Sequence, residues 1–191
     1  MKILSDIEII ESVKKGNQSD YALLVDRYKD KAFSLVKSIV KNDMEAEEIL
    51  QDCFLKAYNS LKKFRAESKF STWFYRIVYN TSLTRVSNKK RNIETGMSSI
   101  DDFINLTVDD IISKNDKDEL SKSLIVIVGK LPGNYSTVIN LFYLEEMSCE
   151  EICNVMNISL NNVKVMLHRA RTALRKIVFE NNYAEELLWN I

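Results

Sequence analysis

Four glycines and one proline among 191 residues leave this chain few ways to turn sharply. Sheet proteins need frequent tight turns, and those turns draw on glycine and proline for their special backbone angles. A chain so poor in both is expected to be all-α, with helices joined by short polar loops. Hydrophobic residues make up 46% of it, enough to fill cores. The length suits one large domain or two small ones.

Helical periodicity runs along most of the chain. Ser5 is placed to cap a helix over residues 5–15, with Ile7, Ile10 and Val13 on one stripe. Residues 16–19 read as a turn. Leu24, Tyr28, Ala32, Leu35 and Ile39 then line one face of a long helix. Asn42 and Asp43 break it, with Asp43 available as the next cap. In MEAEEILQDCFLKAYNSL, residues Ala46, Ile49, Leu50, Cys53, Phe54, Ala57 and Leu61 form an apolar face. After the loop KKFRAESK comes FSTWFYRIVYNTSLTRVSNKKR, with Ser71 or Thr72 as cap. Residues 93–117 are acidic and weakly periodic, as a linker would be. A second helical block starts near Asp118, and Pro132 sits just before or within the first turn of a helix.

The net charge is zero, 27 Lys plus Arg against 27 Asp plus Glu, but the charge comes in blocks. From Lys56 to Arg91 ten basic residues face one acid, Glu67. From Asn92 to Glu119 eight acids face Lys114 and Lys117. From Asn161 to Lys176 there are five basic residues and no acid.

That last block belongs to SCEEICNVMNISLNNVKVMLHRARTALRK, which has the anatomy of a helix-turn-helix. Ser148 and Glu151 form a capping box over a short helix whose inner side is Ile152, Val155 and Met156. Asn157 and Ile158 make the turn, and Ser159 caps the second helix. Val163, Leu167, Ala170 and Leu174 share its inner face, with Met166 on the edge. Asn161, Asn162, Lys164, His168, Arg169 and Arg171 lie away from that face. A helix of this shape fits the major groove of B-DNA. A basic stripe alone would read as a solvated surface; the capped helix and turn before it favour DNA. Val165 falls on the polar side, where it is either an incidental surface valine or a contact for a thymine methyl.

FRAESKFSTWFYRIVYN interleaves Phe64, Trp73, Tyr75 and Tyr79 with Arg65, Lys69 and Arg76. Rings on which bases stack, among cations that follow the backbone, suit single-stranded nucleic acid. Phe70, Phe74 and Ile77 have core spacing. Phe64, in a polar loop, and Asn80 are candidates for contact with an unpaired base.

Other classes of protein fit poorly. The only histidine is His168, and no nucleophile set, glycine-rich phosphate loop or carboxylate pair accompanies it, so no enzyme is expected. Cys149 and Cys153, four residues apart, read as small packing residues, so no metal or other cofactor is expected. Three cysteines without framework spacing, no signal peptide and no apolar run of spanning length point to a cytoplasmic protein not inserted in a membrane.

These segments, in this order, resemble the sigma-70 family of bacterial RNA polymerase sigma factors, in its extracytoplasmic-function (group IV) branch. The resemblance covers nearly the whole chain. MEAEEILQDCFLKAYNSLKKF resembles the core-polymerase-binding helix. FRAESKFSTWFYRIVYN resembles the segment that melts and reads the minus-10 element. LPGNYSTVINLFYLEEMSCEEICNVMNISLNNVKVMLHRARTALRK resembles the domain that reads the minus-35 element.

The resemblance implies a domain 2 over residues 1–92, a linker over 93–117, a helix-turn-helix domain 4 over 118–180, and a tail of unassigned role over 181–191. Glu48, Gln51 and Asp52 would meet core RNA polymerase. Phe64, Arg65, Trp73, Arg76 and Asn80 would meet minus-10 DNA. Asn161, Asn162, Lys164, Val165, His168, Arg169 and Arg171 would meet minus-35 DNA, with Arg171 close to phosphate. Many relatives are held by an anti-sigma factor, often at the membrane, so such a partner is expected beside polymerase and promoter DNA. The family's usual Gly-Thr-Val-Lys-Ser-Arg-Leu is replaced by Asn161 to Leu167, where Val165 and Met166 stand for a hydroxyl and an arginine. That departure points to a changed base preference. A helix-turn-helix regulator that binds duplex DNA unaided is the alternative; it has no need of the acidic docking helix or the aromatic helix.

Overall fold

The structure, a computed structural model, describes residues 4–94 and 127–180. The linker expected at 93–117, the start of the second block near Asp118 and the tail 181–191 lie outside the described residues, apart from the last turn of the fourth helix. Among the described residues all regular structure is helical.

The first block holds α1 (Asp6–Lys14), α2 (Tyr21–Val40), α3 (Asp43–Ser60) and α4 (Phe70–Glu94). Ser5 caps α1 through a full capping box with Glu8. The buried residues of α1 are Ile9 and Ile10, whereas Ile7 is exposed. Of the expected stripe, Ile10 is buried and Val13 packs against the core, while Ile7 is exposed and Ile9 is buried instead. The α2 stripe is buried as expected at Leu24, Tyr28, Ala32 and Leu35.

Lys41, at φ 59°, takes the left-handed conformation that ends α2. Asn42 caps α3, its Oδ1 accepting from the Glu45 backbone N–H at 2.9 Å. The expected cap, Asp43, is instead the first helical residue. There its negative charge suits the helix dipole, and it pairs with Lys37 at 2.8 Å. Helix α4 starts one residue before Ser71, so neither Ser71 nor Thr72 caps it.

The core of this block is aromatic. Phe70 and Phe74 stack at 5.8 Å, Phe54 stacks on Phe74 at 4.8 Å, and Tyr28 meets Phe70 edge-on at 5.4 Å. Such pairs add about 0.5–1.5 kcal/mol each to the burial of their area.

The second block holds α5 (Gly133–Ile139), which passes into a π-helical turn at Asn140–Leu144, then α6 (Cys149–Met156) and α7 (Leu160–Glu180). Pro132 stands immediately before α5. The backbone widens at Asn140, where the Glu145 N–H reaches the Asn140 carbonyl five residues back at 3.1 Å. The helix-turn-helix is built as expected. Ser148 and Glu151 complete the capping box, Asn157 turns the chain at φ 54°, and Ile152, Val155, Met156, Val163, Leu167 and Ala170 are buried.

The two blocks pack together, α4 against α6 and α2 against α5. Polar contacts mark the seam. Lys31 donates to the Leu144 carbonyl at 2.9 Å, and Lys41 donates to the Gly129 carbonyl at 2.5 Å. Lys69 lies 3.0 Å from Glu151, and the Thr72 hydroxyl donates to the same carboxylate at 3.5 Å.

Candidate nucleic-acid interface

Helix α7 sorts its residues cleanly. Asn161, Asn162, Lys164, Val165, His168, Arg169 and Arg171 are all exposed, while Val163, Leu167 and Ala170 fix the opposite side in the core. The Ser159 hydroxyl accepts from the Asn162 N–H at 3.3 Å, holding the first turn. Val165 is 47% exposed, so its methyls face outward among cations and amides. Met166 is half-buried against the core, which agrees with its reading as a packing residue. The face therefore combines positive charge, amide groups and one apolar patch, the three chemistries that contact phosphate, adenine or guanine edges, and thymine.

The second expected surface surrounds the start of α4. The loop before it passes through Ala66 at φ 57°, a left-handed position few residues other than glycine adopt. That turn leaves the Arg65 side chain 82% exposed. Arg76 and Asn80 are exposed and Trp73 is half-buried. Spaced three and four residues apart, these three share one side of α4.

Phe64 departs from the expectation. It is only 6% exposed, edge-on to Phe70 at 5.9 Å and tilted against Trp73 at 5.2 Å. Lys14 lies 5.9 Å over its ring and donates to its carbonyl at 2.7 Å. A ring held on so many sides has no free face for a base. It supports Trp73 instead. The polar letters around Phe64 hid this, because the aromatic neighbours that bury it come six and nine residues later.

The third surface is the outer side of α3. Glu48, Gln51 and Asp52 are exposed there. Arg85 of α4 reaches the Glu48 and Glu45 carboxylates, so Glu48 is partly occupied within the chain. Met44 and Leu55, 81% and 61% exposed, lie on the same stripe and were missed in the sequence reading. The signal was present: at 100° per residue both fall opposite the Ala46, Ile49 and Cys53 face. Met44 and Leu55 thus add apolar area to the polar outer side of α3.

Near the seam, Glu145 is enclosed, with its side chain 7% exposed and Lys31 3.9 Å away. Burial pushes its carboxyl pKa up, opposed by Tyr75 and Lys31. The Tyr75 hydroxyl is itself buried without a hydrogen bond of regular geometry, so its link to Glu145 is a loose one. Cys149 and Cys153 are free and half-buried, and burial raises the Cys153 thiol pKa.

The family model of sigma-70 region 2 matches residues 24–92, and that of sigma-70 region 4 matches residues 121–174. The chain is 37% identical over 174 residues to the ECF RNA polymerase sigma factor SigW of Bacillus subtilis, covering 87% of this chain and 93% of that one. This chain belongs to the ECF RNA polymerase sigma factors.

This sigma factor is also 34% identical over 186 residues to the ECF RNA polymerase sigma-E factor of Escherichia coli K12, covering 90% and 93% of the two chains. Its fold matches the sigma factor RpoE of Bartonella quintana, solved with the anti-sigma factor NepR, at a TM-score of 0.69, 19% identity and 83% and 96% coverage. It matches CnrH, solved with the cytosolic domain of CnrY, at a TM-score of 0.63, 21% identity and 90% and 96% coverage. Both family segments fall on the two helical blocks. Region 2 takes in α3 and the aromatic start of α4, and region 4 takes in the helix-turn-helix.

Proposed function

We propose that this sigma factor directs core RNA polymerase to its promoters through three separate faces. The outer side of α3, with Gln51, Asp52 and in part Glu48, docks on polymerase, and Met44 and Leu55 add apolar contact. Arg65, Trp73, Arg76 and Asn80 open and hold the minus-10 element, with Phe64 keeping Trp73 in place. Asn161, Asn162, Lys164, Val165, His168, Arg169 and Arg171 read the minus-35 duplex. The observation that carries this reading is the sorting of α7, where every residue expected to face DNA is exposed and its inner stripe is buried.

Physical chemistry supports the division of labour. Extruding a base from the stack costs a few kcal/mol, which cation and ring contacts must offset. The exposed arginines give the affinity that depends on salt, and the groove contacts give sequence preference. The chain supplies recognition and strand capture, while RNA synthesis is the chemistry of polymerase.

We further infer domain limits at residues 1–92 and 118–180 with a linker at 93–117, a cytoplasmic location, and restraint by an anti-sigma factor. Among the described residues no helix is long and apolar enough to cross a membrane. The two similar folds were each solved with a partner, NepR being named as an anti-sigma factor.

The test is to sequence the transcripts that core polymerase makes with and without this chain. New start sites sharing upstream minus-35 and minus-10 elements are the expected result. If the chain shifts duplex DNA alone and leaves polymerase start sites unchanged, it acts as a separate regulator and the reading is wrong.

A further inference from the structure

Arg171 is the most closely held residue of the α7 face, and what holds it lies outside the helix-turn-helix. Its guanidinium carbon is 5.4 Å from the ring centroid of Phe142 and 5.5 Å from that of Tyr143. The two rings meet edge-on at 5.0 Å and 75°, so they form a corner. The Arg171 Nε–H donates to the Tyr143 hydroxyl at 2.8 Å. Among the described residues no carboxylate pairs with this arginine. Tyr143 is itself 52% exposed, an unusual place for a ring with no other task.

Both rings stand on the π-helical turn at Asn140–Leu144. Its end is tied to the other block by Lys31, which donates to the Leu144 carbonyl.

We propose that Phe142 and Tyr143 are positioning residues for the minus-35 contact. They fix the plane of Arg171 through Nε and the ring faces, and leave both terminal nitrogens free to fork onto one DNA phosphate. Guanidinium stacks on rings and binds phosphate in a planar, two-point fashion, so the two contacts are compatible. An exposed arginine otherwise samples many rotamers, and ordering it beforehand lowers the cost of binding. This inference rests on the reading of α7 as the minus-35 helix.

The test uses holoenzyme and the promoter duplexes recovered by transcript sequencing. Arg171→Ala should weaken promoter binding about 5- to 10-fold and lower the slope of log K against log salt by about 0.9, the loss of one phosphate contact. Tyr143→Leu should reproduce part of both effects, equally on all promoters, and Tyr143→Phe should restore most of the affinity. The double variant Arg171→Ala with Tyr143→Leu should bind no worse than Arg171→Ala alone.

If Arg171→Ala changes neither affinity nor slope, the minus-35 reading of Arg171 itself fails. If Arg171→Ala acts but Tyr143→Leu leaves the slope unchanged, or adds fully to it, the positioning role is overturned. A Tyr143→Leu loss confined to particular base sequences would make Tyr143 a base reader and overturn the proposal as well. Should Tyr143→Leu unfold, the NMR signal of the Arg171 Nε–H decides: slow solvent exchange in the native chain and fast exchange in Tyr143→Phe are expected, and equal rates would refute the ring-held geometry.

Discussion

Lys69 Nζ lies 3.0 Å from the Glu151 carboxylate, joining the loop that precedes the aromatic helix to the first helix of the helix-turn-helix. Glu151 has two tasks, because the same carboxylate closes the capping box on Ser148. Burial acts against its charge, but the bonds from Ser148, Lys69 and Thr72 outweigh that and hold its pKa below the usual carboxylate range.

Glu151→Gln should separate the two tasks, since glutamine keeps the capping bond but not the charge. The Lys69 side chain is 72% exposed, so the pair is screened by solvent. A double-mutant cycle with Lys69→Ala, followed by urea denaturation, should give a coupling of about 0.2–1 kcal/mol. A coupling indistinguishable from zero would mean the contact is not held in solution.

Glu145 predicts a pH dependence. Its folded pKa is raised by burial, so protonation is easier in the folded chain than in the unfolded one. The stabilisation this gives is fully present below the ordinary carboxylate pKa, and it is lost as pH rises through the elevated folded value. Glu145→Gln should therefore match the native chain at acidic pH and gain stability relative to it towards neutrality. Urea midpoints between about pH 4 and pH 8 measure the difference; a gap that widens on acidification would contradict the burial argument.

Phe64→Ala should act on the fold before it acts on DNA. Removing a packed phenylalanine typically costs about 3–5 kcal/mol. Thermal denaturation should drop accordingly, with Trp73 fluorescence shifted by added solvent. Arg65→Ala, on an exposed side chain, should leave the melting temperature alone and weaken permanganate reactivity of the open minus-10 region. A native melting temperature for Phe64→Ala would show that its packing contributes little.

Leu55→Asp should reduce affinity for core polymerase without loss of stability, because the side chain is exposed on α3. Surface changes of this kind normally stay within about 0.5 kcal/mol in folding. Gln51→Ala with Asp52→Ala should lower core affinity as well. Sedimentation with core polymerase reads both, and full binding by all three substitutions would remove α3 from the docking surface.

Val165→Thr restores a hydroxyl of nearly the same shape on an exposed position. Stability should be unchanged, while the minus-35 sequences selected from a random pool by holoenzyme should shift. Identical selected sequences would make Val165 a bystander.

Much of the fold follows from local rules. Scarce glycine and proline excluded sheets, and period-3.6 stripes located α2, α3, α4, α6 and α7. The Ser5 cap and the Ser148 capping box are legible because their partners lie three residues away. The exposed side of α7 was legible for the same reason: Val163, Leu167 and Ala170 define it within the helix itself.

What only the tertiary structure decided involves partners distant along the chain. Phe64 is buried by α1 and α4, Ile7 is left exposed while Ile9 of the same helix is buried, and Lys69 finds Glu151 across 82 residues. No periodic pattern announces the π turn, which carries Phe142 and Tyr143, the two rings that meet Arg171. Sequence determines which face of a helix seeks the core. The tertiary structure alone decides what stands opposite that face, because that depends on the summed packing of all the helices.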